Sequence, residues 1–262
     1  MRIVSTFAAA AALLVGTASA RASTFGPGEQ TVLEVDYSGL RAGTATITVG
    51  SETKLGDRDV WPIVTLADTA SLFALFPLHD KFVSWWSFAL NHSVGWDFYA
   101  NENRHNRRER CKLNTPAPGQ AVVQRQSDGA TPALVTAPMD PDAQDIGAAF
   151  FALRSLPLAP GRTFKVPVFT GRRTWDMVAT VGQPEPLEVP AGRFIALPLE
   201  VEVHFQGKLE SKHALKVWLS DDEHHALLKL QAELALGSLN AVAQAYHPGN
   251  DVVGPNRHAQ NP

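Results

Sequence analysis

The sequence predicts a mainly β protein in which one short α-helix, at residues 140–155, lies on a large antiparallel sheet. In the longest strand-like run, residues 195–205, apolar side chains occupy every second position and polar or charged ones mostly lie between them. This alternation is typical of a strand in a sheet with one solvated face. Residues 140–155 instead follow the 3.6-residue period of a helix. These two patterns together favour a helix packed on a sheet.

The predicted helix has its own start and stop signals. Asp140 can cap its first turn, and Pro141 suits the first helical position because a missing N–H is no loss there. Pro157 ends it. One face of the helix is apolar and is predicted to be buried against the sheet. The residues of that face are Ile146, Ala149, Phe150 and Leu153.

Strand-like segments stand on both sides of the helix. Before it they cover residues 31–37, 44–49, 60–67, 81–88, 94–100, 107–113, 122–126 and 133–137. After it they cover residues 164–168, 175–181, 195–205, 212–219, 227–236 and 239–246. Pro62 falls inside one segment and suggests an edge strand or a bulge. We expect a single β-rich domain over residues 23–246 and a flexible C-terminal tail at 247–262.

Residues 1–22 are typical of a secretory signal peptide. Arg2 supplies the positive start, residues 7–16 the apolar core, and Ala18-Ser19-Ala20 or Ala20-Arg21-Ala22 a small-residue cleavage site. The apolar run is too short to span a bilayer, which argues against a membrane anchor. We therefore expect a periplasmic or secreted protein whose signal is cleaved near Ala20–Ala22. No cysteine stands directly after that site, which argues against an acylated lipoprotein.

Charge and cysteine content exclude further classes. Removing Arg2 and Arg21 with the signal leaves 21 basic against 26 acidic residues, a net charge of −5. This balance argues against a nucleic-acid partner, because such proteins bind through basic surface. Cys111 is the only cysteine, so the chain has no internal disulfide, and a buried structural thiol is favoured over a reactive one. No later segment is apolar and long enough to cross a membrane.

Three segments carry a resemblance to a known family. They are Asp145-Ile146-Gly147-Ala148-Ala149-Phe150-Phe151-Ala152-Leu153-Arg154, Val189-Pro190-Ala191-Gly192-Arg193-Phe194 and Val217-Trp218-Leu219-Ser220-Asp221-Asp222. In these segments the chain resembles the exported bacterial proteins grouped as domain of unknown function 3108. The resemblance extends from Phe25 to about Tyr246.

The resemblance implies a fold but no activity. It implies an all-β protein similar in shape to the half-barrel carriers and receptors that sort lipoproteins, in which a curved antiparallel sheet, or incomplete barrel, wraps helices around an apolar cavity. The family helix commonly carries Ser and Tyr where this chain has Ala148 and Phe151, and a Pro is often found near Leu227. The missing hydroxyls weaken any catalytic role for the helix. Function by such analogy is an association only.

Two groups of residues contain the side-chain types found in metal sites or catalytic sites. Residues 221–225 place Asp, Glu and His side by side, but without metal-ligand spacing, so a solvated hairpin turn is favoured over a metal site. His79, Asp80 and Ser84 are the residue types of a hydrolase triad. No Gly-x-Ser-x-Gly elbow surrounds Ser84, and a triad depends on geometry rather than composition. We therefore predict no catalytic residues, no metal and no cofactor.

A basic segment could bind an anion such as a headgroup or a phosphate. Its candidate residues are Arg104, Arg107 and Arg108. Arginine and glutamate alternating on an exposed strand would give the same pattern, and that interpretation is favoured.

Aromatic residues concentrate between Trp61 and Tyr99, where 39 residues hold 10 of the 22 aromatics. Most of them are expected in the core, but a strongly curved sheet also leaves an inner face that one short helix does not fill. The predicted cavity-wall residues are Trp85, Trp86, Trp96, Phe98, Ala149 and Phe150. We expect a non-enzymatic periplasmic module that binds an apolar ligand, such as a lipid or acyl chain. The alternative is an envelope protein-interaction or scaffold protein with a filled core, and a hydrolase comes third.

Overall fold

A computed structural model describes residues 24–69, 79–102, 105–209, 215–234 and 236–250. The predicted signal peptide, Arg104 and residues 251–262 of the predicted tail lie outside these ranges. In chain order the elements are β1 (Gln30–Tyr37), β2 (Leu40–Val49), β3 (Thr53–Leu55), β4 (Arg58–Thr69), β5 (His79–Ser87), β6 (His92–Glu102), β7 (His105–Leu113), β8 (Gln120–Ser127), β9 (Ala133–Pro138), α1 (Ala148–Arg154), β10 (Thr163–Phe169), β11 (Thr174–Val181), β12 (Glu185–Val189), β13 (Gly192–Phe205), β14 (Lys208–Leu209), β15 (Leu215–Ser220), β16 (Leu227–Leu234) and β17 (Gly237–His247).

The strands pair antiparallel in one large sheet that is not closed into a barrel. Its order from one edge to the other is β9-β8-β7-β6-β5-β4-β2-β1-β17-β16-β15-β13-β11-β10. The short strands add to these, β3 on β4 and both β12 and β14 on β13. We call β2–β9 the N-terminal arm and β10–β17 the C-terminal arm; β1 joins them. This architecture confirms the predicted fold class.

Pro62 lies where β4 changes its partner. The pairing of β4 with β2 ends at Ile63, and its pairing with β3 begins at Val60. Pro62 falls between the two ladders, where a strand residue without an N–H costs least. Its carbonyl oxygen accepts a hydrogen bond from the Gly50 N–H at 2.8 Å. The proline therefore marks a junction inside the sheet rather than an edge.

The helix begins at Ala148, eight residues later than the sequence pattern indicates. Asp140 accepts a hydrogen bond from the Asp142 N–H at 2.9 Å and so forms a separate turn. Gln144 then pairs with the edge of β10, donating its N–H to Pro167 and accepting from the Phe169 N–H. Residues whose backbone groups are used in this way cannot also form a helix.

The helix buries a different set of residues from the predicted one. Leu153 and Ala149 are buried, but Phe150 is half-buried and Ile146 is 62% exposed. Ile146 precedes the helix, so the helical period does not apply to it. Phe151, which points to another side of the helix, is buried. Two sides of this short helix are therefore covered by the sheet.

Helix α1 divides the inner core into two clusters. Ala149 and Leu153 pack with the inner residues of the C-terminal arm, among them Val168, Leu199 and Val217. The other side of the helix packs on the beginning of the N-terminal arm. That second cluster comprises Phe25, Val49, Trp61, Ile63, Trp86, Ala148 and Phe151. The described part of the chain holds no helix long and apolar enough to cross a membrane.

Strand β13 follows its predicted alternation only in part. Leu197 and Leu199 are buried, and Glu200 is exposed, as the pattern indicates. Ala196 is also buried, because Trp218 and Leu228 pack on the opposite face of the sheet. Both faces of this strand are therefore covered near its middle.

Candidate functional site

A pocket of about 630 Å³ lies on the inner face of β5–β8. We call it the arm pocket. Its far side is formed by Ile146 and by the chain at the end of β10. The lining residues are Phe82, Trp96, Phe98, Arg107, Glu109, Arg125, Ser127, Ile146, Phe169, Thr170 and Arg172.

The floor of the arm pocket is aromatic. Phe82 lies 6.4 Å from Trp96 and 5.9 Å from Phe98 between ring centroids, and Trp96 lies 6.1 Å from Phe169. Trp96 and Phe98 share the inner face because successive strand residues point to opposite sides of a sheet. Trp96 also belongs to a small core cluster that includes Cys111 and Leu113. The floor can therefore receive an apolar group.

The rim of the arm pocket is charged. The Arg125 Nε donates to Glu109 at 2.6 Å, and the Arg125 Nη2 donates to the carbonyl oxygen of Gly171 at 2.8 Å. Gly171 has φ 81°, and a Cβ there would lie 2.6 Å from the Arg125 Nη2, so glycine is required at this position. The guanidinium of Arg107 lies over the Phe98 ring at 5.2 Å. The charged groups are thus in contact with the aromatic floor.

The structure brings three of the predicted site residues together at this pocket. Trp96 and Phe98 belong to its floor and Arg107 to its rim. Of the other wall candidates, Trp86 packs against Phe25 and Trp61, and Ala149 lies in the core of the C-terminal arm. The half-buried Phe150 packs against both of these clusters.

Two candidates point to the outer face of the sheet instead. The Trp85 indole donates to Asp97 at 2.9 Å, and Arg110 donates to the same carboxylate at 2.6 Å. Arg108 lies over the Tyr99 ring at 5.7 Å. Arg107 and Arg108 are neighbours in sequence and therefore lie on opposite faces of β7.

Several lining residues were not among the sequence-based candidates. Phe82, Arg125 and Glu109 lie at alternate, inward positions of their strands, so alternation relative to Trp96 could have identified them. Phe169 and Arg172 come from beyond the helix. No local pattern connects them with residues 82–127, because only the path of the chain past β10 brings them there.

The residues of the suggested hydrolase triad are not assembled. The His79 imidazole contacts Asp68 at 2.7 Å in an exposed position, and an Asp80 oxygen accepts from the Asn101 N–H. The Ser84 hydroxyl is buried and donates to Asp145 at 2.6 Å. Among the described residues no histidine is hydrogen-bonded to the Ser84 oxygen, so these three residues do not form the geometry of a triad.

Asp145 is a buried carboxylate that fastens the helix to the sheet. Its Oδ1 accepts from the N–H groups of Gly147 and Ala148, each at 2.9 Å, and from Ser84. Its other oxygen accepts from the Ser93 hydroxyl. Burial raises the pKa of Asp145, although all four hydrogen bonds act in the opposite direction. The bonds join the start of α1 to β5 and β6, which is a structural role.

Residues 221–225 form a turn, as predicted. Asp222 accepts hydrogen bonds from the N–H groups of His224 and His225. His225 uses its Nδ1 for the carbonyl oxygen of Arg154, whose guanidinium forms a buried ion pair with Glu29 at 2.7 Å. Within the ranges that the structure describes, no group of three or more ligand-type side chains is placed to hold a metal ion.

Cys111 is buried beside Trp96 in the same core cluster and is 2% exposed. Burial raises the pKa of its thiol well above the usual range, and the nearby Glu109 acts in the same direction. A thiol in this environment is unreactive. This placement agrees with the structural role favoured by the sequence.

A solved structure shares the fold. A beta-barrel-like protein of domain of unknown function DUF1849 from Brucella abortus has a TM-score of 0.59 and 8% identity, over 86% of this chain and 99% of that chain. A proposed lipoprotein from Parabacteroides distasonis has a TM-score of 0.33 at 10% identity, covering 86% of this chain and 99% of its own. A proposed exported protein with a YmcC-like fold from Bacteroides fragilis has a TM-score of 0.31 at 10% identity, covering 85% and 98%. The last two scores are too low for any inference.

Sequence comparison gives the family. No curated protein matches this sequence significantly. The family described as "Protein of unknown function (DUF3108)" matches residues 32–244, which confirms the resemblance carried by residues 145–154, 189–194 and 217–222. The match covers most of the chain and the whole described sheet from β2 to β16. The protein therefore belongs to the DUF3108 family.

Proposed function

We propose that this protein binds an apolar ligand, a lipid or an acyl chain, in the arm pocket. One observation carries the proposal: a pocket of about 630 Å³ with an aromatic floor on the inner face of the sheet. Pockets for small ligands are typically about 300–1,000 Å³ and mostly apolar, with a few polar groups at the edge. Each methylene group that leaves water there contributes about 0.8 kcal/mol.

The proposed function is that of a binding module rather than an enzyme. The separation of His79 from Ser84 and the saturated hydrogen bonds of Asp145 support this. The signal-like residues 1–22 support an exported, periplasmic or secreted location, where a lipid ligand would need a carrier to cross an aqueous space.

A neutral, environment-sensitive dye tests the proposal. Nile red should bind purified, delipidated protein with saturable, one-to-one stoichiometry, and its emission should rise in the apolar floor. Ser127→Trp should abolish binding, because Ser127 lines the pocket and an indole would fill it. Gln124→Trp is the matched control, since Gln124 is exposed on the opposite face of the same strand. Absence of dye binding by the parent protein, or equal loss in both variants, would refute the proposal.

A second function, docking of another protein, is favoured by the edge of the sheet. Among the described strands β9 has a single neighbour, β8, and it exposes Leu134 (70%) and Val135 (48%). A free strand edge can add a strand from a partner. If it does, the Leu134→Lys, Val135→Lys double variant should lose a partner that the parent protein retains from an envelope extract, while Nile red binding stays unchanged. A partner retained equally by both proteins would rule out this edge.

A further inference from the structure

We propose that the ligand of the arm pocket is an amphipathic anion, whose carboxylate or phosphate is held by Arg107 and Arg172 while its apolar chain lies on the aromatic floor. This inference rests on the proposed function and names the class of ligand. It follows from how the charges of the lining are distributed, which neither the family nor the fold specifies.

The lining carries more positive than negative charge. It contains Arg107, Arg125 and Arg172 against a single carboxylate, Glu109, which leaves two positive charges in excess. The whole chain has the opposite sign, with a net charge of −3. A pocket with low-dielectric walls concentrates such a local field and attracts ligands of the opposite charge.

One of the three arginines is already occupied. The Arg125 Nε donates to Glu109 at 2.6 Å, and its Nη2 donates to Gly171 at 2.8 Å, so Arg125 holds the β10–β11 turn against β8. This places Arg172, the next residue of that turn, at the rim. The Arg125–Glu109 ion pair thus stabilises the rim.

The other two arginines have no carboxylate partner among the described residues. Among these residues the Arg107 guanidinium contacts the Phe98 ring, and the side chain of Arg172 has neither an ion pair nor a hydrogen bond. On the outer face Arg110 does have such a partner, since it pairs with Asp97 at 2.6 Å. A guanidinium presents a fork of N–H groups that matches a carboxylate or phosphate.

Arg107 also connects the charge to the floor. Its guanidinium lies 5.2 Å from the centre of the Phe98 ring, and that ring lies 5.9 Å from the Phe82 ring. A ligand whose head contacts Arg107 therefore places its next atoms directly on an aromatic surface. A free inorganic anion would leave this surface unused, and a neutral lipid would leave the two arginines without a partner.

Displacement of Nile red by matched probes tests the inference at about pH 8. Dodecanoate and 1-dodecanol have the same chain and differ in the charged head. The parent protein should bind dodecanoate at least about tenfold more tightly than dodecanol, as a charge-assisted contact provides. Arg107→Gln with Arg172→Gln should abolish this preference while leaving dodecanol affinity unchanged. Arg108→Gln, on the outer face, is the control and should retain the preference.

The outcomes separate the inference from the proposed function. Equal affinity for dodecanoate and dodecanol in the parent protein overturns the anionic head and leaves the apolar pocket standing. A preference lost equally in Arg108→Gln overturns the assignment to Arg107 and Arg172. Binding of inorganic phosphate that depends on these two arginines, without any binding of dodecanoate or dodecanol, makes this a free-anion site and refutes both proposals. Absence of dye binding by the parent protein refutes the proposed function itself.

Discussion

The inner faces of the two arms differ in what covers them. On the C-terminal arm, Ala149 and Leu153 of the helix pack against the strands, and the space is filled by aliphatic side chains. On β6–β8 of the N-terminal arm the cover is thinner. Across the pocket from Trp96 and Phe98, the described lining comes from Ile146, Phe169, Thr170 and Arg172, and about 630 Å³ is left open.

Dimensions explain this difference. The main row of the sheet contains fourteen strands, and a spacing of about 4.8 Å between neighbours makes it about 60 Å wide along its curve. The seven-residue helix is about 10 Å long and about 10 Å across. One helix of this size covers two or three strands, so most of the inner face needs another cover. The C-terminal arm meets this need with its own apolar side chains, and the N-terminal arm leaves a pocket.

The largest loss of stability is expected when a buried helix side chain is removed from the core of the C-terminal arm. Leu153→Ala should lower the free energy of unfolding by about 2–5 kcal/mol, because Leu153 is fully buried and its removal leaves a cavity. Ile146→Ala, on the pocket side and 62% exposed, should change it by about 0.5 kcal/mol or less. Reversible urea titrations measure both. Equal, small losses would mean that the C-terminal arm is not filled by the helix.

The second-largest loss of stability is expected when the hydrogen bonds that attach the helix to the sheet are removed. Asp145→Ala should cost about 3 kcal/mol, because two buried hydroxyls and two N–H groups lose their acceptor. Asp140→Ala removes one exposed hydrogen bond and should cost about 0.5 kcal/mol or less. The same titrations apply. A larger loss at Asp140 than at Asp145 would restore the helix start that the sequence pattern indicates.

Adding side-chain volume should destabilise the core of the C-terminal arm but should be tolerated in the arm pocket. Ala149→Trp should lose about 1–3 kcal/mol, because the core around Ala149 is full and an indole overpacks it. Ser127→Trp should change stability by only about 0.5 kcal/mol or less, since it enters the pocket. Thermal unfolding followed by circular dichroism compares the two. A stable Ala149→Trp variant would place free space under the helix instead.

The smallest effect concerns the buried thiol of Cys111, beside Trp96. Cys111 should resist Ellman's reagent in native buffer and react with one equivalent in denaturant, because it is buried and its thiol pKa is raised. A free thiol, with a pKa of about 8.5, reacts much faster at about pH 9 than at about pH 7. Because its pKa is raised, the Cys111 thiol stays protonated across this range. Labelling of the native protein should therefore be slow at both pH values. Rapid labelling at pH 9 would mean that solvent reaches the core cluster around Cys111.

Local pattern predicted most of the strands and missed the start of the helix. The alternation of residues 94–100 places Trp96 and Phe98 on one face, since that depends only on the pleat of a strand. The pairing of β6 with β7 adds Arg107 to the same face. Asp140 and Pro141 have the residue types of a helix start, but the edge of β10 takes up the backbone of Gln144. Competition from a strand distant in sequence cannot be read from a local signal.

The sequence by itself determined the fold class, the family and most of the strands, because alternation and turn residues act over a few neighbours. Only the tertiary structure decided which aromatic residues pack into the core and which line a pocket. Trp86 and Trp96 have the same chemistry and similar positions on adjacent strands. Trp86 lies under the helix and Phe25, whereas Trp96 lies beyond the reach of the helix. Their difference comes from the length of one helix relative to the width of the sheet, which is a property of the assembled fold.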